Sequence, residues 1–411
     1  MPLSFFVIHF FFLETYSFFC VGFSAIEIDL TSGVEFPIYS DDQKMTSYAM
    51  KDGESTQQGA FWWDGNNTIY KQGVPPLLSW MADLIHGYPF RYGGWFVDYP
   101  TFVQPDAVVR PADVWRLDLT YGTWDNTSIN PFLYRAWGGA VATVPEEQIG
   151  YFLGGIVENR TDTAFEDAPG YLLLQDNFLN FDSSSNSFVN KTAPELGHIA
   201  LGNLVHIPDM GDGGLLIYLG GAEGPSGWVP TDTTDGMTLR DLGTVWVYDI
   251  SSSQWYSQKA SGDTPEGRIS ACAVVVPSQD KSSWNIVLHG GGDLGLKTGK
   301  VYGETWVLSL PSFQWTMMDD KGDKKFEHTC HLVKGNQMLV IGGRDKLQWY
   351  AGDPASNYSG DGSKWTCLTN GIITSLNLNT FEWEDALPDY NTSYEVHEVI
   401  LGLIGGKWVN I

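Results

Sequence analysis

The chain has 411 residues and a formal net charge of −26, from 49 Asp and Glu against 23 Lys and Arg. A surface this acidic repels phosphate backbones and excludes nucleic-acid binding, while it suits solubility, cationic ligands or divalent ions. The length fits one large domain with extensions, and 17 Trp promise extensive buried aromatic packing.

Residues 1–24 are strongly apolar, and Phe5–Leu13 is nearly unbroken. Gly22-Phe23-Ser24 puts small residues at the −3 and −1 positions of a cut before Ala25, which reads as a secretory leader. No Lys or Arg precedes the apolar run, and His9 and Glu14 interrupt it, so an uncleaved anchor and an unusual first exon stand as the other readings. No later stretch is long enough to cross a bilayer.

Ile26, Ile28 and Leu30 alternate with Glu27 and Asp29, the period of a half-buried strand, with Phe36 expected in its partner. From there one cassette recurs five times. An apolar run closes on glycine at Gly73, Gly154–Gly155, Gly220–Gly221, Gly290–Gly291 and Gly342–Gly343. Each is followed by a residue pair seven apart: Leu117/Trp124, Phe181/Phe188, Tyr248/Trp255, Leu308/Trp315 and Leu376/Trp383. The first of each pair lies in an alternating strand, and the short offset predicts a β-hairpin. Every unit holds four strand candidates, which is the content of a propeller blade. The period also explains the recurrence, since a lone blade leaves its faces uncovered. Beyond the last unit, Val396, Val399, Ile400, Leu403 and Ile404 follow helical spacing.

These motifs resemble the kelch repeat. The third unit, with Ile217-Tyr218-Leu219-Gly220-Gly221 followed by Tyr248 and Trp255, is the best match, while the second carries Phe188 in place of Trp and the first has Val74 in place of the second glycine. The resemblance covers about Gly59 to Trp383 and is nearest to secreted or membrane-tethered fungal kelch proteins. It implies an all-β, six-bladed propeller with its first and last blade incomplete. The expected domains are a leader over 1–24, the propeller over 25–390 and an extension with a short helix over 391–411.

In such a ring the connections from second to third strand share a face with those leading to the next blade. Here the former are long and unequal, so that face is the expected functional one. Candidate binding residues on it are Arg91, Trp95, Trp228 and Trp349, with Arg268 and Arg344 at the channel mouth. Exposed aromatics stack on sugars or anchor proteins; the alternative is that the loops fold over the face and use their rings as a small core.

Cys20 belongs to the leader, and Cys272 and Cys330 occupy similar places on first strands of neighbouring units. Cys330–Cys367, within one unit, is the expected bridge, with three free thiols as the other reading. Six glycosylation sequons, at Asn66, Asn126, Asn159, Asn190, Asn357 and Asn391, join the leader in favouring the secretory route and an extracellular or cell-surface location.

The kelch-like fold also underlies galactose oxidase and glyoxal oxidase, whose copper site needs two Tyr and two His. In this chain only His328 and His331 are close in sequence, and residues three apart on a strand face opposite ways. No nucleophile elbow, phosphate loop or dinucleotide fingerprint occurs. The expectation is therefore a monomeric interaction module without cofactor or metal, binding a protein or carbohydrate. A copper radical oxidase acting on sugars or aldehydes is the alternative.

Overall fold

The computed structural model describes residues 136–158, 170–227, 229–230, 236–293, 298–344, 373–386 and 392–404, the strands within 24–128, and single positions between them. Five sheets with an antiparallel four-stranded core succeed one another along the chain, the fourth extended by the parallel pairing of Ser261–Gly262 with its outer strand, and the protein is a β-propeller. Blade I is Phe61–Trp63, Thr68–Gly73, Asp113–Asp118 and Thr123–Ser128. Blade II is Ala140–Val144, Ile149–Leu153, Asn177–Asp182 and Ser187–Thr192. Blade III is Asn203–Ile207, Leu215–Leu219, Thr244–Asp249 and Gln254–Lys259. Blade IV is Cys272–Pro277, Trp284–His289, Thr305–Leu310 and Gln314–Asp319. Blade V is Phe326–Val333, Gln337–Arg344, Ile373–Asn377 and Glu382–Glu384.

All five residue pairs read from the seven-residue spacing are direct cross-strand partners in the outer hairpins. The turns between them are short because polar side chains close them: Asp182 Oδ1 accepts from the N–H of Ser184 at 2.9 Å, and Asp249 Oδ1 from that of Ser251 at 3.0 Å. Such local bonds favour turns over continued strand.

The first strands of blades I to V lie side by side in order, which makes them the innermost. Their entrances are joined by a backbone chain. Leu201 N–H donates to Gly138 O at 2.6 Å, Ser270 N–H to Leu201 O at 2.9 Å, and Glu327 N–H to Ser270 O at 2.9 Å. Gly138, Leu201, Ser270 and Glu327 all have positive φ, between 54° and 64°. Left-handed backbone at three non-glycine residues is held by this series, at Leu201 and Ser270 through both the N–H and the carbonyl and at Glu327 through the N–H.

The glycine pairs serve the same junctions. In three blades the second glycine donates to the chain entering the next inner strand: Gly155 to Ile199 O at 2.8 Å, Gly221 to Arg268 O at 2.9 Å, and Gly291 to Lys325 O at 2.7 Å. A Cβ on Gly290 would stand 2.5 Å from Lys325 O, and one on Gly291 2.8 Å from Ile269 O, each at positive φ. No side chain fits there.

The outer-strand aromatics reach the preceding blade. Trp315 of blade IV is 1% exposed, and its indole N–H donates to Leu242 O at 2.9 Å, beside blade III. Trp383 of blade V packs on His289 of blade IV, and Trp255 of blade III on Phe178 of blade II. Apolar side chains from adjacent blades therefore form shared cores at each of these junctions. Glu398–Ile404 is the helix expected from its spacing, and its Ile400 is buried between blades IV and V.

Near the N-terminus, Ser24–Ile28 is a strand, but its partner is Met45–Ala49 rather than a segment holding Phe36. Its outer-hairpin spacing is thus not the seven residues of the other units. Phe36 and the leader before Ser24 lie outside the described residues.

Trp315→Ala removes a fully buried indole and its hydrogen bond from a junction, and is expected to cost about 3–5 kcal/mol in urea unfolding. Tyr256→Thr, at a position 54% exposed on an outer strand, should stay within about 0.5 kcal/mol.

Candidate functional site

The long connections rise on the face where the inner strands begin, and they form secondary structure of their own. Ile156–Glu158 and Tyr171–Leu174 pair within the blade II connection, and Tyr171–Leu174 then pairs with Val229–Pro230 from the blade III connection. His198–Ala200, the entrance to blade III, pairs with Ala222–Gly224, which pairs with Thr238–Leu239. Loops of neighbouring blades are thereby stitched into one apron. Ile156, Leu174 and Ala200 form its small core, with Trp137 and Met237 against it. Aliphatic residues of the blade II and III connections thus pack together, while the Trp228 ring of the third connection lies outside the described residues.

A recess of about 260 Å³ opens in this apron, lined by Leu196, Gly197, His198, Glu223, Gly236 and Thr238. Beneath it, the guanidinium of Arg240 donates from Nη1 to Leu196 O and to Glu223 Oε2, both at 2.8 Å. Half of the Glu223 side chain stays exposed, so the recess presents carboxylate, hydroxyl and imidazole groups. The opposite face holds a larger recess of about 640 Å³, between the Ser278–Ser283 turn, Leu310, Pro311 and the helix residues Leu401 and Ile404.

Arg268 is not a mouth-lining binding group. It is 1% exposed, and its guanidinium donates to Glu266 O at 3.0 Å, Gly290 O at 3.1 Å and Glu304 Oε2 at 2.9 Å. It also lies 4.0 Å from the centre of the Tyr302 ring. Its side chain is thus held between the glycine pair of blade IV and Glu304, which directly precedes the third strand of that blade. Burial pushes the Glu304 carboxyl up, but hydrogen bonds from Trp306 and Arg268 hold it below the usual range. Burial first, and then Lys325 and Arg268, drive the pKa of His289 down to about 3, leaving that imidazole neutral.

Arg344 ends its strand opposite Phe326 at the same rim. Arg91, Trp95, Trp228, Trp349, Cys367 and the sequons Asn66, Asn159, Asn357 and Asn391 fall outside the described residues. Asn126 sits on an outer strand opposite Trp115, and Asn190 is exposed on the outer strand of blade II.

The expected Cys330–Cys367 bridge is corrected: Cys330 pairs with Cys272, with Cα atoms 5.5 Å apart. Measured from the left-handed residues Ser270 and Glu327, Cys272 and Cys330 differ by one position. With a period of two, that offset turns the sulfurs toward one another across the junction of blades IV and V. His328 shares the Cys330 side of its strand, whereas His331 bonds outward to Thr329 Oγ1 at 3.1 Å. His289 lies directly opposite Cys272, and its ring is 5.3 Å from that of His328. The histidine pair that meets is therefore 289 and 328. Among the described residues it comes together with the sulfurs of Cys272 and Cys330.

Relatives place this architecture. The chain is similar to a kelch repeat-containing protein of Arthroderma benhamiae, with 25% identity over 383 residues, 81% of this chain and 54% of that protein. It is also similar to host cell factor of Drosophila melanogaster, 26% identical over 155 residues, 37% of this chain and 10% of that protein. Host cell factor 2 of Homo sapiens is 27% identical over 139 residues, 33% of this chain and 16% of that protein. The kelch resemblance thus holds over most of the chain, which spans about half the length of the fungal relative and less of the others. No protein-family model matches it.

Two measurements check this geometry. A non-reducing peptide map should recover Cys272 linked to Cys330, with no Cys330–Cys367 peptide. Arg268→Met should destabilise by about 2–3 kcal/mol, the cost of breaking a buried pair reduced for the partly exposed Glu304. Arg268→Lys should not restore it, because an ammonium cannot reproduce the planar fork over Tyr302.

Proposed function

We propose that the protein is a non-enzymatic interaction module that engages a protein partner through the apron of long loops. The observation that supports this most is the strand pairing between Tyr171–Leu174 and Val229–Pro230. It converts two loops that vary in length into one rigid platform, and rigid platforms lose little entropy on binding. The recess at His198, Glu223 and Thr238 supplies polar groups at its centre. The acidic chain favours a partner with a basic complementary surface, since opposite potentials speed and orient encounter.

The partner meets the protein outside the cell or on its surface, along the secretory route. A disulfide buried between blades suits an oxidising compartment, and the exposed Asn190 is accessible to glycan transfer. Trp95 and Trp228, in the first and third long connections, are the aromatic anchors of the platform.

Cross-linking of the purified chain to cell-surface protein, followed by peptide mapping, should place contacts within 156–175 and 222–243. Trp228→Ala and Trp95→Ala should each weaken capture at least about tenfold without lowering the unfolding midpoint, as expected of an anchor worth about 2 kcal/mol. Undiminished capture in both, with cross-links on the Ser278–Ser283 side, would overturn the assignment of the face.

A further inference from the structure

The junction of blades IV and V brings together four side chains whose chemistry is that of a tetrahedral soft-metal site. Cys272 and His289 are direct partners on adjacent antiparallel strands, so both side chains leave the same face of blade IV. His328 and Cys330 are two apart on the inner strand of blade V, on the face that looks back. Ligand atoms of Cys272, Cys330 and His328 all lie within 4.8 Å of one another, and the His289 ring is 5.3 Å from that of His328. His289 is fully buried, and its Nε2 has no hydrogen-bond partner. Its Nδ1 lies 3.1 Å from Thr305 Oγ1, which leaves Nε2 as the ligating atom and holds the ring in place.

We propose that these residues form a redox-gated zinc site, closed as a disulfide when oxidised and able to bind one Zn²⁺ through Cys272, Cys330, His328 and His289 when reduced. Two electrons and two protons from a dithiol reductant cleave the Cys272–Cys330 bond, and the reductant itself becomes a disulfide. The two thiols then pass their protons to solvent as the metal binds both sulfurs. Bond lengths of about 2.3 Å to sulfur and 2.0–2.1 Å to nitrogen ask that the sulfurs separate to roughly 3.7 Å and that the His289 ring, which stands outside the close group of the other three, move in toward them. Charge favours the full set. Two thiolates and two neutral imidazoles cancel the dication, so the occupied site adds no net charge beside Lys325, which is fully buried and without a hydrogen bond at Nζ. Four protein ligands make the site structural, and it fastens the same two blades that the disulfide fastens. The propeller junction thus keeps a cross-link in either redox environment.

The test uses the full chain, oxidised and after anaerobic dithiol treatment, titrated with Co²⁺ and then Zn²⁺. The reduced chain should bind one Co²⁺ with a sulfur-to-cobalt charge-transfer band that Zn²⁺ displaces, and the oxidised chain should bind none. Zn²⁺ should raise the unfolding temperature of the reduced chain. Cys330→Ser should weaken the band, and His289→Gln should lower affinity at least about tenfold while keeping it. Near-UV circular dichroism reports whether each form is folded. A folded reduced chain that takes up no metal would overturn the proposal. So would unchanged affinity in the His289→Gln/His328→Gln variant, or a reduced chain unfolded both with and without Zn²⁺.

Discussion

Every other property of this protein follows from the inability of a four-stranded sheet to cover its own two faces. In blade IV the second and third strands, Trp284–His289 and Thr305–Leu310, are buried at every position. Such strands must be sandwiched between neighbours, as in parallel sheets covered on both sides. The stability of any blade is thus a property of its junctions. Trp255, Trp315 and Trp383 seal those junctions on the outside, where the wedge is widest and the largest side chain is needed. Toward the axis the wedge narrows, and glycine with bare backbone takes over.

The narrow end carries the ring. The hydrogen-bonded series Gly138, Leu201, Ser270 and Glu327 joins the strand entrances. Two residues before each of the last three, Ile199, Arg268 and Lys325 offer carbonyls to the glycine of the preceding blade. Their backbone role is identical, so their side chains are free to differ. At one junction the side chain is apolar, at the next it is a cation paired with Glu304, and at the third a buried cation 3.9 Å from Asp323. That freedom explains why an arginine at the rim looked like a ligand group: its place near the axis is set by backbone bonds that sequence does not display, and its side chain fills the junction.

How much was legible depends on the range of each interaction. The outer hairpins, the glycine pairs and the helix near Ile400 were readable, because each rests on spacing within a few residues. The partner of Ser24–Ile28 was not, since a strand pair joined by a long connection has no fixed offset. The disulfide failed for a subtler reason. Both cysteines were placed on the correct strands, but pairing across blades depends on a one-residue difference in register relative to the ring, and that register is defined by φ at Ser270 and Glu327. The meeting of His289 with His328 was hidden in the same way. One signal was present: His289 directly precedes a glycine pair, and the glycine pairs of blades II, III and IV face the entrance of the next blade.

Function sits where these constraints end. In blades II, III and IV each long connection begins just after a glycine pair that bonds to the entrance of the next blade. Its length can change without altering a junction, which separates the evolution of the surface from the stability of the fold. The freedom is not complete, however. Tyr171–Leu174 bonds to Val229–Pro230 across blades, so the spacing of blades II and III sets the distance between their loops. The ring thereby acts as a ruler for the platform. A change that opened the junction between those blades would distort the recognition face even if every loop residue were retained, while equal strain at the junction of blades IV and V would meet the Cys272–Cys330 cross-link first. The fold thus combines a mutable face with a fastened side, and the position of the fastening on another junction leaves the platform's own geometry to hydrogen bonds and apolar packing.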